Sequence, residues 1–217
     1  MEQIELLERM RRIVGVLELQ YPDTSPPLIF NTPFQLLIAV LLSAQTTDRQ
    51  VNQVTPELFQ RFPDVQSMAN ADISEVETSI RSVGFFHVKA QNVIATANVL
   101  KDKFNCSIPS TMDELLLLPG IGRKSAGVVL ATIFQKPAII VDTHFGRLIR
   151  RLGFSNQTDP EKLEFDLANW LPPEMWSTVS MLLNFHGREV CTARYPSCCR
   201  CRIQAMCPFL EKEKACE

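Results

Sequence analysis

Two groups of residues in this 217-residue chain have the types and spacing to do chemistry. The first is Cys191, Cys198, Cys201 and Cys207, spaced C-x6-C-x2-C-x5-C. Four thiolates on a short irregular stretch can wrap either zinc or an iron–sulfur cluster. Zinc ribbons usually use two C-x2-C knuckles, and only one is present here, which leans toward a cuboidal [4Fe-4S] cluster. The second is the turn LPGIGRKSAG (Leu118 to Gly127), with Asp142 following 18 residues after Lys124 in IIVDTHFGR. Gly120 and Gly122 permit positive φ and the close approach of another backbone. The N–H groups of the helix that starts after them form an anion site needing no side-chain charge. Lys124 falls in the first turn of that helix, where the macrodipole disfavours a cation. A partly desolvated lysine there, with Arg123 beside it, is held more readily as the neutral, nucleophilic amine. Asp142 is either a helix N-cap or a carboxylate that accepts the amine's proton or stabilises an oxocarbenium-like sugar.

The charge balance sharpens this. A net charge of −2 argues against binding nucleic acid through bulk charge. Residues 120–202, however, carry 11 Lys and Arg against 7 Asp and Glu, so one part of the surface can be basic. Arg194 lies between the first two cysteine ligands, and Arg200 and Arg202 follow. A metal-folded loop presenting arginines suits a phosphate backbone.

The elements that must position these residues are helical nearly throughout. Ile4, Leu7, Met10, Val14 and Leu17 make one apolar stripe on a first helix, which YPDTSPP (Tyr21 to Pro27) ends. Thr32-Pro33 starts a helix whose core, FQLLIAVLLSA (Phe34 to Ala44), is too short for a bilayer and predicts full burial. Thr47 or Asp48 caps the next helix, Ser74 opens another, and Gly84 breaks it. Thr111 and Glu114 form a capping box, Asp142 or Thr143 starts a helix to Leu152, and Asp159-Pro160 starts another. AIIV (Ala138 to Val141) has strand character but no partner strand. About ten helices and an all-α fold are expected. Met1 is followed by acidic, amphipathic sequence, so no signal peptide is expected and a cytoplasmic protein is the default. Seven cysteines in such a chain point to metal or catalysis rather than a disulfide scaffold.

LPGIGRKSA, VDTH and the four-cysteine spacing, in this order, resemble the endonuclease III family, and LLSAQTTD (Leu41 to Asp48) and SVGFFHVKA (Ser82 to Ala90) extend the match over most of the chain. These are bifunctional DNA glycosylases and abasic-site lyases of the helix-hairpin-helix superfamily. The resemblance implies two helical domains flanking a DNA-binding cleft. A six-helix barrel with the hairpin would span 26–136, and an iron–sulfur cluster domain would join 1–25 to 137–217. It makes Lys124 the lyase nucleophile and Asp142 the catalytic carboxylate. It makes Gln45 the residue inserted where a base is flipped out, and Phe85 an apolar wedge where the family often has leucine. Gly120, Gly122, Arg123, His144 and Arg194 fall at DNA-contacting or site-supporting positions, and the four cysteines hold a [4Fe-4S] cluster. The implied partner is double-stranded DNA carrying an oxidised pyrimidine or an abasic site. The protein is expected to be a monomer, associated with the nucleoid if bacterial. Departures from the family are Gly127 in place of asparagine, Ser125 where threonine is common, His87 where asparagine is common, and Tyr195 at an often basic position. These bear on base preference and affinity more than on reaction type.

Three other functions stand beside this one. A mismatch glycosylase of the same superfamily would generally lack a lysine at position 124, and its adenine-removing members carry a further C-terminal domain for which no room is expected after Cys207. A non-catalytic, metal-stabilised DNA-binding module would form no Schiff base. An electron-transfer protein would need a cluster that cycles without DNA, and the hairpin gives that no support.

Overall fold

A computed structural model describes residues 3–24 and 26–209 of the protein; Cys216 lies outside them. The described residues are all-α, with eleven α-helices, three 3-10 turns and no strand. The chain divides into two compact units, one of residues 26–136 and one of residues 1–25 with 137–217.

Helix α1 (Gln3–Gln20) opens the discontinuous unit and buries Met10, Ile13 and Leu17. The stripe is shorter than expected. Ile4 is 67% exposed, since the first turn of α1 lies ahead of the first residue to reach the core.

The continuous unit is built on α2 (Pro33–Leu42), in which eight of ten residues are buried. A helix apolar on every side has to be a core helix. Each Leu or Ile taken fully out of water contributes roughly 1.5–3 kcal/mol before entropy is set against it. Thr32 Oγ1 starts it by accepting from the Gln35 amide at 3.2 Å, with Pro33 preset at the first helical position. Thr47 caps α3 (Asp48–Arg61) in the same way, accepting from the Gln50 amide. Two short helices follow, α4 (Val65–Ala69), capped by Asp64, and α5 (Ile73–Ser79), capped by Asp72. Ser74, expected to open α5, instead donates its amide and hydroxyl to Asp72 Oδ1. A carboxylate one residue before the helix outcompetes a hydroxyl already inside it. Both short helices lie against α6 (Phe86–Phe104). Thr111 heads α7 (Met112–Leu115), and after a turn α8 (Arg123–Ile133) packs on α2.

The chain then re-enters the discontinuous unit. Residues 138–141 form neither helix nor strand. Serines of a later helix take their amides: Ile140 N donates to Ser180 Oγ at 2.9 Å and Ala138 N to Ser177 Oγ at 3.3 Å. Helix α9 (Thr143–Arg151) follows, then α10 (Pro160–Ala168), capped by Asp159, and α11 (Trp176–Glu189). Helices α9 and α11 meet closely at Gly187, where a Cβ would lie 3.0 Å from the Cβ of His144. Phe145, Leu148 and Ile149 of α9 face Val179, Leu182 and Leu183 of α11 across the core that also holds the buried side of α1.

Candidate functional site

The turn between α7 and α8 carries the Gly-x-Gly pair, and the two glycines do different work. Gly120 has φ +79, and a Cβ on it would come within 2.9 Å of Asn92 Nδ2, so both conformation and space require glycine. Gly122 is extended, at φ −99, with nothing within 4 Å of where its Cβ would be. The expectation of positive φ therefore holds at Gly120 alone. Gly122 is the N-cap of α8, brings no capping side chain, and leaves the helix start sterically open. Leu115, Leu118 and Ile121 bury beneath the turn, and Thr96 Oγ1 of α6 donates to the Pro119 carbonyl at 2.8 Å. The hairpin is thus pinned from below and open above. Arg123 is half-buried in the first turn of α8, and Lys124 beside it is exposed. The partial desolvation expected of Lys124 is not supplied by this chain's own packing.

Asp142 stands at the head of α9 as its N-cap, half-buried. Its Oδ1 accepts from the Phe145 amide at 2.7 Å, and its Oδ2 accepts from Asn184 Nδ2 of α11. One oxygen holds the helix start and the other is aimed by a side-chain amide, which fixes the carboxylate plane. Asn184 was not singled out from sequence; an asparagine inside NFHGR carries no signal that it faces a residue 42 positions earlier. His144, half-buried in the first turn of α9, lies 3.3 Å through Nδ1 from Arg147 Nη2.

Gln45 and Phe85 each occupy a turn of the continuous unit and share an uncommon backbone state. Gln45 has φ +53 and Phe85 has φ +59, in the left-handed region that side-chain-bearing residues rarely occupy. Gln45 is exposed, just beyond the end of α2. Phe85 heads α6 without any side-chain cap and is 67% exposed.

None of the four spaced cysteines is in a disulfide, and all four line one pocket with Leu148, Arg151, His186 and Ile203. Among the described residues, no three His, Cys, Asp or Glu side chains converge closely enough to hold a single metal ion. The segment 191–207 contains only two 3-10 turns of its own (Cys198–Arg200 and Gln204–Met206), so its shape is imposed by long-range contacts. Arg147 of α9 donates to the Cys191 carbonyl through Nε at 3.1 Å and Nη2 at 2.9 Å, and to the Gly187 carbonyl at 2.7 Å. Arg151, one turn on, donates to Cys191 Sγ at 3.1 Å and to the carbonyls of Thr192 and Ala193. His186 Nε2 lies 3.3 Å from Cys201 Sγ. Burial holds the His186 imidazole down at about 4 and pushes the Cys201 thiol up to about 11. Arg147, Arg151 and His186 were missed by sequence reading. Their one trace is the i, i+4 arginine pair on α9. Arg194 is exposed beyond the anchored stretch, and Tyr195 beside it is 85% exposed.

With this geometry in place, the likeness to known proteins is specific. The model of the HhH-GPD superfamily of base excision DNA repair proteins matches residues 38–173. The chain is 44% identical to endonuclease III of Synechocystis sp. over 202 residues, 93% of this chain and 92% of that one. It is 37% identical to endonuclease III of Escherichia coli over 211 residues, 97% of each. Among solved structures, a trapped endonuclease III–DNA covalent intermediate matches with a TM-score of 0.90 at 37% identity, covering 100% of both chains. A thermostable thymine-DNA glycosylase shares the fold at a TM-score of 0.83 and 22% identity. The chain belongs to the endonuclease III family of the HhH-GPD superfamily. Among the described residues, no helix is long and apolar enough to cross a membrane.

Proposed function

We propose that this protein is a base excision repair glycosylase with abasic-site lyase activity, acting on oxidised pyrimidines in duplex DNA. The observation that carries it is an exposed lysine on the first turn of a helix whose start is left open by Gly122, in a chain matching a trapped covalent enzyme–DNA intermediate along its whole length. A mismatch glycosylase does not need that amine.

The chemistry follows from the residues. The open start of α8 receives a backbone phosphate, and the target nucleotide leaves the stack. Gln45 and Phe85 occupy the space it vacates. Lys124 Nζ attacks C1′ as the C1′–base bond breaks and the base leaves. Asp142, oriented by the Phe145 amide and Asn184, accepts the amine proton or stabilises the positive charge that develops on the sugar. The sugar ring then opens as the C1′–O4′ bond breaks and O4′ takes a proton, and the resulting Schiff base acidifies the C2′ proton. Its removal expels the 3′ phosphate by β-elimination, cutting the strand 3′ to the lesion. DNA closing over Lys124 supplies the desolvation that the free chain does not.

Cys191, Cys198, Cys201 and Cys207 would hold a [4Fe-4S] cluster. The donor set fits: none of the four thiols is in a disulfide and all four line one pocket, as suits a group that takes one cysteine per iron. When bound, the cluster supplies the fold of the loop bearing Arg194 rather than a reaction step.

Single-turnover reaction with a duplex carrying one thymine glycol tests this. The expected product is a strand cut 3′ to the lesion bearing an unsaturated aldehyde. Release of thymine from a G·T duplex, with no cleavage at thymine glycol, would overturn it.

A further inference from the structure

Lys89 is the one lysine that the continuous unit buries, at 5% exposure, and the mechanism above leaves it without a role. Its amine has two partners. Nζ donates to the Leu42 carbonyl at 2.8 Å and to Thr46 Oγ1 at 2.7 Å. Leu42 ends α2, where a carbonyl lacks its helical partner and a cation is favoured by the helix dipole. Thr46 directly follows Gln45. The Lys89 side chain therefore closes both ends of the turn that displays Gln45.

The main chain of the same residue closes the other turn. Lys89 N donates to the Phe85 carbonyl at 3.1 Å, forming the first turn of α6. Gly84, just before Phe85, sits where a Cβ would be 3.8 Å from both the Gln45 carbonyl and Thr46 Oγ1. The two turns touch each other, and both hold a non-glycine residue at positive φ. Such states persist only where the surroundings over-determine them. Burial lowers the amine of Lys89 from its ordinary value. Enclosure by Leu42 and Thr46 still keeps it from any sugar, so it is not a second nucleophile.

We infer that Lys89 is a positioning residue that locks the Gln45 turn to the Phe85 turn, so that the two tips enter DNA as one rigid unit. This rests on the insertion role proposed for Gln45 and Phe85. It also accounts for a buried cation in a unit whose other buried side chains are uncharged: one ammonium donates to a helix-end carbonyl and to a hydroxyl from the same atom.

The test is a double-mutant cycle with the cluster-loaded, full-length protein. Base excision at thymine glycol is measured in single turnover, with 2-aminopurine opposite the lesion as a fluorescence report of insertion. Lys89→Met keeps the apolar stem and removes the donor. It is expected to slow excision and the 2-aminopurine rise roughly tenfold in the native background, and less than about twofold in a Gln45→Ala, Phe85→Ala background. Thr46→Val, which removes one acceptor, is expected to give about a threefold loss with the same dependence on background; it carries the test should Lys89→Met fail to fold. An equal fold-loss in both backgrounds would make Lys89 merely structural and overturn the inference. Native excision by the Gln45→Ala, Phe85→Ala protein itself would overturn the insertion role, and the positioning role with it.

Discussion

The hairpin turn and the cysteine segment both present functional groups, yet they are held in shape by opposite means. The hairpin in residues 112–133 is fixed by backbone. Gly120 is left-handed against Asn92, Thr111 heads α7, Thr96 grips the Pro119 carbonyl, and three apolar side chains bury directly below. Residues 191–207 have little regular structure and almost no apolar burial beyond Ile203. Two arginines reaching from α9, the buried His186 and four thiols do the holding there. Local rules written in glycine, threonine and proline build the first. Pairings across forty or more residues build the second. The hairpin is thus expected to tolerate loss of any single exposed side chain that does not touch chemistry, whereas the cysteine segment depends on each anchor.

The largest effect expected is at Asp142, which combines the two modes. Asp142→Asn keeps an oxygen for the Phe145 amide, so the α9 cap survives, but removes the charge. Glycosylase and lyase rates are expected to fall about 10²–10⁴-fold with thermal stability nearly unchanged. A comparable loss of stability, seen by calorimetry, would mean that the residue is a cap and nothing more. Next comes Cys198→Ser. Loss of one of four ligands is expected to abolish the visible absorbance of the cluster and open 191–207 to protease, while fragments from residues 26–136 remain protected. Simultaneous digestion of both units would erase the contrast between them. Gly120→Ala follows, a purely backbone lesion. Left-handed strain plus the contact with Asn92 is expected to cost roughly 2–4 kcal/mol by chemical denaturation, with cluster absorbance untouched. The smallest is Arg147→Met. Removing its bonds to the Cys191 and Gly187 carbonyls is expected to cost about 1–3 kcal/mol. It should speed loss of the cluster in air without altering the helical content of the protein.

The same contrast explains what the sequence made legible. Helix starts at Thr32, Thr47, Asp142 and Asp159 were readable because a cap is a rule about three or four neighbouring residues. The buried α2 was readable from its unbroken apolar run. Helix α4 was missed because five residues are too few to show a period. Asp72 and Ser74 are both good starts two residues apart, and only the hydrogen bonds decide between them. Spacing alone does not separate Gly122 from Gly120, although Gly120 has positive φ and Gly122 leaves an open helix start. Asn184, Arg147, Arg151 and His186 were invisible because their meaning lies in partners far along the chain. The resemblance to a known family named Lys124, Asp142 and the four cysteines. It did not indicate what holds them in place.

The most direct measurement is borohydride trapping on duplex DNA containing one thymine glycol, comparing the native, cluster-loaded protein with Lys124→Ala. A covalent protein–DNA complex that forms with the native chain and falls by on the order of 10³-fold or more in the variant is the expected result. No complex with the native protein, or an undiminished one with Lys124→Ala, would contradict the assignment of Lys124 as the nucleophile.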